Sequence, residues 1–194
     1  SALKLMRDRA QRAGQSIAGD LDYLEFLRHA GFEALAVHEA TAAVNTHPDD
    51  PYVQITRSAA HFWSYVRGAE RTRGRAPAQL DLEAATKTDP DLVETHTRRW
   101  ALGYYGYGDF PFGWGANAEN AAQAAATLRA LGHPKPPLDE ASAWLVAGKP
   151  ARARELAASP TLSAEDRQAV ETLITLVDDD TSLERVGPLV ESAD

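Results

Sequence analysis

Residues 31–53 read GFEALAVHEATAAVNTHPDDPYV, and this stretch decides the fold. Ala36, Ala40 and Ala43 stand four and three residues apart, the spacing of one helix face. The pattern predicts a helix from about Glu33 to Thr46 that stops before Pro48. Gly31 ends the helix before it. Asp50-Pro51 predicts the next start: a carboxylate that accepts from free backbone N–H groups, then proline in the first turn. The segment therefore reads as helix, turn, helix.

The same punctuation recurs outward from this segment. Ala36 and Ala43 precede Pro48 by twelve and five residues, and Ala78 and Ala85 precede Pro90 by the same intervals. Pro48 and Pro90 are 42 residues apart, and Pro90 and Pro134 are 44 apart. Asp89-Pro90 is read as a second start signal of the Asp50-Pro51 kind. Gly148-Lys149-Pro150-Ala151 looks like a further inter-helix turn. Periodicity predicts helices on both sides: Leu3 to Ile17, one capped by Asp20, Pro51 to Val66, Pro77 to Thr88, Val93 to Tyr104 and Asn117 to Leu131. Shorter ones follow over Leu138–Ala147 and Ala151–Ala158. Ser163 with Asp166, and Thr181 with Glu184, are capping-box signatures that open two more.

Composition agrees. The 194 residues include 36 Ala and 20 Leu but only 10 Val and 3 Ile, which favours helix over strand. The net charge of −8 disfavours nucleic acid as a partner. The absence of cysteine excludes a disulfide scaffold, thiolate catalysis and Cys-ligated zinc, and fits cytoplasm and periplasm alike. No apolar run approaches the roughly 20 residues of a membrane span, and no signal-peptide core stands out.

Gly31, Ala36, Ala43 and Pro48, with the junction NTHPDDPYV, resemble the tetratricopeptide repeat (TPR) family. They sit where that family has its turn glycine, its packing alanines and its terminal proline. The likeness extends over residues 20 to 158. It departs from the family in a period longer than the usual 34 residues and in lacking most of the Trp-Leu-Gly-Tyr pattern. The resemblance implies an all-α, TPR-like right-handed solenoid in a single domain, 1–194. An N-terminal helix (1–19) would precede helix pairs at 20–50, 51–90, 91–134 and 138–160, with capping helices over 161–194. An irregular helical bundle is the competing arrangement. The resemblance further implies a non-catalytic adaptor, without cofactor, that binds a protein or peptide in a concave groove.

Three groups of residues are candidates for the site. The segment 103–115, GYYGYGDFPFGWG, holds six of the 15 aromatics and five of the 13 glycines. Its Tyr104, Tyr105, Tyr107, Phe110, Phe112 and Trp114 form either a recognition surface or a plug over the chain's own helices, with self-association as a third use. Its G-x-G-x-x-A string mimics a dinucleotide fingerprint, but no strand precedes it and no acidic residue follows at the right distance. Arg71, Arg73 and Arg75 belong to a basic cluster suited to carboxylates or other anions. Repeat register places Gln54, Arg57, His61, His96 and Arg99 toward a groove. An alternative function is small-molecule binding or an enzyme accessory subunit, with the aromatic loop closing a pocket and His61 or His96 supplying polar chemistry. The six histidines show no metal spacing, and Asp178-Asp179-Asp180 lacks the spaced ligands of a calcium loop.

Overall fold

The structure is a computed structural model that describes residues 17–66, 75–105 and 114–178, with side chains described at 21–64, 76–103 and 118–178. The described residues form nine helices and no strand. They are α1 (Ile17–His29), α2 (Glu33–Thr46), α3 (Pro51–Val66), α4 (Arg75–Thr88), α5 (Val93–Tyr105), α6 (Trp114–Ala130), α7 (Pro137–Val146), α8 (Pro150–Ala157) and α9 (Ala164–Asp178). The helix predicted over residues 3–17 and the one expected after Thr181 lie outside the described residues.

Most boundaries follow local chemistry. α2 begins and ends where the sequence places it. Gly31, Gly132 and Gly148 take φ of 80°, 82° and 69°. Only glycine enters that left-handed region without strain. Each lets the next residue donate back across the helix end: Phe32 to the Leu27 carbonyl at 3.0 Å, His133 to Leu128 at 2.8 Å and Lys149 to Trp144 at 2.8 Å. Asp50 Oδ1 accepts from the Tyr52 and Val53 amides at 2.9 and 3.2 Å, so the α3 cap forms as expected. Ser163 opens α9, its Oγ accepting from the Asp166 amide at 3.0 Å and donating to Asp166 Oδ2 at 2.7 Å.

Two starts differ. α1 already runs at Ile17, so Asp20 lies inside it rather than capping it. Asp89-Pro90 does not start a helix. Asp89 Oδ1 accepts from the Asp91 amide at 3.2 Å, which makes a turn, and α5 begins only at Val93. Pro90 is thus the counterpart of Pro48, the turn proline, and Leu92 stands where Asp50 stands.

The chain divides into two compact units, Ser1–Leu102 and Gly103–Asp194, with the division inside α5. In the first, α1 packs on α2 and α3, α2 on α3, and α3 on α4. Tyr23, Leu27, Ala36 and Ala60 form one core cluster, and Leu24, Ala40, Ala43 and Val53 a second. Ile55, Leu82 and Ala85 form a third, with Leu92 and Leu102 against it. In the second unit α7 packs on α6, α8 and α9, and α8 packs on α9. Ala118, Ala121, Ala122, Ala124, Ala125 and Leu128 of α6 are all fully buried. At about 100° per residue they cover an arc of roughly 160° of that helix.

Candidate functional site

The first unit contains a groove of about 430 Å³ whose walls come from α1, α3 and α5. Along α3 it is lined by Tyr52, Ile55, Thr56 and Ala59, an i, i+3, i+4, i+7 stripe. α1 contributes Leu21, Glu25 and Arg28, and α5 contributes Glu94 and Arg98. Leu21, Ile55 and Ala59 make an apolar floor, and Tyr52 stands half-exposed beside it.

Each flanking wall carries an ion pair within one helix. Arg28 donates to Glu25 at 3.4 Å, and Arg98 Nε to Glu94 at 2.8 Å. These pairs are one helical turn apart in sequence, so α-helical geometry alone brings them together. They leave the groove without net charge and flank the floor with both signs. Thr56 Oγ1 donates to the Tyr52 carbonyl at 2.8 Å, within its own helix.

The residues placed by repeat register lie on the far side of the same helices. At about 100° per residue, Gln54, Arg57 and His61 point roughly half a turn away from the groove stripe of α3, and His96 and Arg99 likewise on α5. Arg57 binds Asp81 of α4 through both oxygens, with Nε to Oδ2 at 2.9 Å and Nε to Oδ1 at 3.1 Å. Asp81 is buried, so the guanidinium is its main compensation for lost water. Next to it Ser58 Oγ donates to the Ala78 carbonyl at 2.7 Å. Gln54 is buried and its Nε2 donates to the Pro48 carbonyl at 2.6 Å. His96 is buried and bonds the Pro90 carbonyl through Nε2 at 2.7 Å. A carbonyl only accepts, so Nε2 carries the proton. The two bonds are the same bond 42 residues apart, each from the sixth residue after a turn proline. Burial pulls the Arg99 guanidinium below its usual pKa, and the nearby Glu83 charge offsets part of that. His61 is half-buried on α3.

The aromatic and basic candidates are only partly described. Tyr104 and Tyr105 end α5, Trp114 opens α6 and Arg75 opens α4, all by their backbones alone. Tyr107, Phe110, Phe112, Arg71 and Arg73 lie outside the described residues. The G-x-G-x-x-A string runs into the first turn of α6. Among the described residues no group of three or more His, Cys, Asp or Glu could hold a metal, and no helix is long and apolar enough to cross a membrane.

Sequence reading missed Tyr52, Thr56, Glu94 and Arg98. Their signal was present as i, i+4 steps starting within the first two residues of α3 and α5, but α3 has apolar residues on several faces. No family model, curated protein or solved structure matches this chain.

Proposed function

We propose that this chain is a non-catalytic interaction module, built as a TPR-like series of antiparallel helix pairs, that holds a segment of a partner protein in the α1–α3–α5 groove. One observation carries the reading: among the described residues the groove is lined by alternate helices, α1, α3 and α5. A right-handed solenoid of helix pairs puts its first helices side by side on one concave face, which is where such modules bind. Two features support the pairing. Ala36 and Ala43 of α2 are buried, as are Ala78 and Ala85 of α4, where the 42-residue interval places them. Gln54 and His96 make the same bond to the turn before their helices. The groove chemistry also favours binding over small-molecule chemistry, because its carboxylates are paired with arginines and no histidine among the described residues lines it.

The test compares two surface variants in affinity capture from source cells, with folding checked by circular dichroism. Thr56→Trp fills the groove, and Leu176→Lys alters an exposed residue of α9. The expected result is a partner set kept by Leu176→Lys and lost with Thr56→Trp. Equal recovery by both variants overturns the groove as the binding site.

A further inference from the structure

We infer that residues 179–194 of this same chain fill a second groove, between α8 and α9, as the second helix of a pair that α9 opens. The inference rests on the helix-pair reading above. These residues follow Asp178 directly and lie outside the described ones. The groove has a volume of about 590 Å³. α8 and the turn after it contribute Ala157, Ala158 and Pro160, and α9 contributes Arg167, Glu171 and Ile174. The Arg154–Asp178 ion pair joins the two helices at one end.

The register of α9 marks it as the first helix of a pair. Gln54 is the fourth residue after Asp50, which caps α3, and His96 is the fourth after Leu92, which precedes α5. Arg167 is the fourth after Ser163, which opens α9. All three side chains reach back to a carbonyl of the turn before their helix. Gln54 bonds Pro48 at 2.6 Å, His96 bonds Pro90 at 2.7 Å, and Arg167 donates through Nη2 to Ser159 at 3.4 Å. The arginine is the longest of the three and reaches two residues further back.

In this register Ser58 of α3 matches Glu171 of α9. Ser58 is where α3 holds its second helix: it is buried, and its Oγ donates to the Ala78 carbonyl of α4. Glu171 is exposed and lines the groove. Arg167, Glu171, Ile174 and Asp178 fall within an arc of about 60° on α9. The groove is the place on α9 that α4 takes on α3.

The residues that follow suit that place. An antiparallel partner starts at the Asp178 end and runs back toward Arg167. Asp179-Asp180 supplies a polar turn, and Thr181 with Glu184 a helix start. Leu183, Val186 and Val190 then recur at three- and four-residue spacing, one apolar stripe. Arg167 to Asp178 spans roughly 16 Å of α9, which about eleven helical residues cover. Pro188 removes one backbone bond midway, so packing in the groove has to hold the second half. A groove filled from within the chain is closed to partners.

The chain has no cysteine, so introduced pairs report the contact directly. Double variants of the full chain are oxidised with copper phenanthroline, and intramolecular disulfides are quantified by mass spectrometry, with folding checked by circular dichroism. Ala157→Cys with Val186→Cys probes the groove, and exposed Ala158→Cys replaces Ala157→Cys if that variant loses its helical signal. Leu176→Cys with Val186→Cys is the control, nearer in sequence and on the side of α9 away from the groove. Ser58→Cys with Ala78→Cys probes the α3–α4 pair. The groove pair is expected to cross-link at least about fivefold more than the control, because docking raises the effective concentration of its two thiols. A smaller ratio overturns the docking and leaves the groove to a partner protein, while cross-linking at 58 and 78 keeps the helix pairs standing. If the 58–78 pair fails as well, the helix-pair reading falls with it. Groove-pair disulfides between chains would put a second copy in the groove and overturn the assignment to residues 179–194.

Discussion

The two units solve the same packing problem with different chemistry. Residues 1–102 carry nearly all the buried polar side chains described: Gln54, Ser58, Ser64, Asp81, Thr95 and His96. Beyond residue 102 the described residues add only Glu140. The second unit is instead dominated by alanine, with Ala118, Ala121, Ala122, Ala124 and Ala125 of α6 buried alongside Ala141, Ala143, Ala153 and Ala157. Small side chains let helices approach closely and lose no rotamer freedom on burial. They give little directional information. The first unit gains its orientation from bonds that tie specific helices and turns together: Arg57 to Asp81, Ser58 to Ala78, Gln54 to Pro48 and His96 to Pro90. The lesson is that directional polar contacts and close alanine contacts are alternative ways to seat helices, and each unit has a groove, of about 430 Å³ in the first and about 590 Å³ in the second.

The sharpest way to break this contrast is through a polar device that both units carry, a buried carboxylate paired with an arginine of another helix. Asp81 is paired with Arg57, and Glu140, 1% exposed, is paired with Arg129 through both oxygens at 3.2 Å. Removing the arginine strands a buried carboxylate in either case. Arg57→Leu and Arg129→Leu should each cost about 3–5 kcal/mol, measured by urea unfolding. The double variant Arg57→Leu, Asp81→Leu should recover most of that loss, because no buried charge is left. A cost under about 1 kcal/mol for Arg129→Leu would show that alanine packing orients α6 and α7 without the pair.

Backbone strain ranks next. Ala at Gly132 or Gly148 meets nothing within 4 Å, so the only penalty is the left-handed φ. Either substitution should cost about 1–2 kcal/mol in thermal or urea unfolding. Asn at the same positions should recover part of it. Equal stability of the alanine variants would mean that the turns after α6 and α7 relax, and that the alanine-rich unit is looser than its burial implies.

The turn clamp gives a smaller and more specific test. Gln54 makes at Pro48 the bond that His96 makes at Pro90, so His96→Gln should keep stability within about 0.5 kcal/mol. His96→Leu should lose about 1–2 kcal/mol, since the Pro90 carbonyl loses its donor. Chemical unfolding checks both. Equal losses would break the equivalence of the two turns and weaken the repeat reading. The smallest effect is expected at Arg99, whose charge is disfavoured by burial and partly offset by Glu83. Arg99→Met should change the melting temperature little or raise it slightly.

Several of these features are legible in short stretches of residues. Pro48, Asp50-Pro51, Gly31 and Ser163 mark helix ends because capping and φ preference act within a few residues. Asp89-Pro90 misleads for the same reason: a carboxylate before proline caps a helix or makes a turn, and only the register against Pro48 distinguishes them. Arg57–Asp81 joins residues 24 apart, and nothing local in either helix marks them as partners.

The amino-acid sequence by itself determined that the chain is helical, where most helices start and stop, and that alanines and prolines recur at 42 residues. These depend on propensity, capping and backbone geometry, which each segment carries with it. Only the tertiary structure decided which face of each helix looks into the groove. α3 is apolar on more than one side, with Val53, Ile55 and Ala60 all buried, so periodicity offers it two inward faces. The positions of α1, α4 and α5 around it choose between them. They send Arg57 to Asp81, and leave Tyr52 and Thr56 to line the groove.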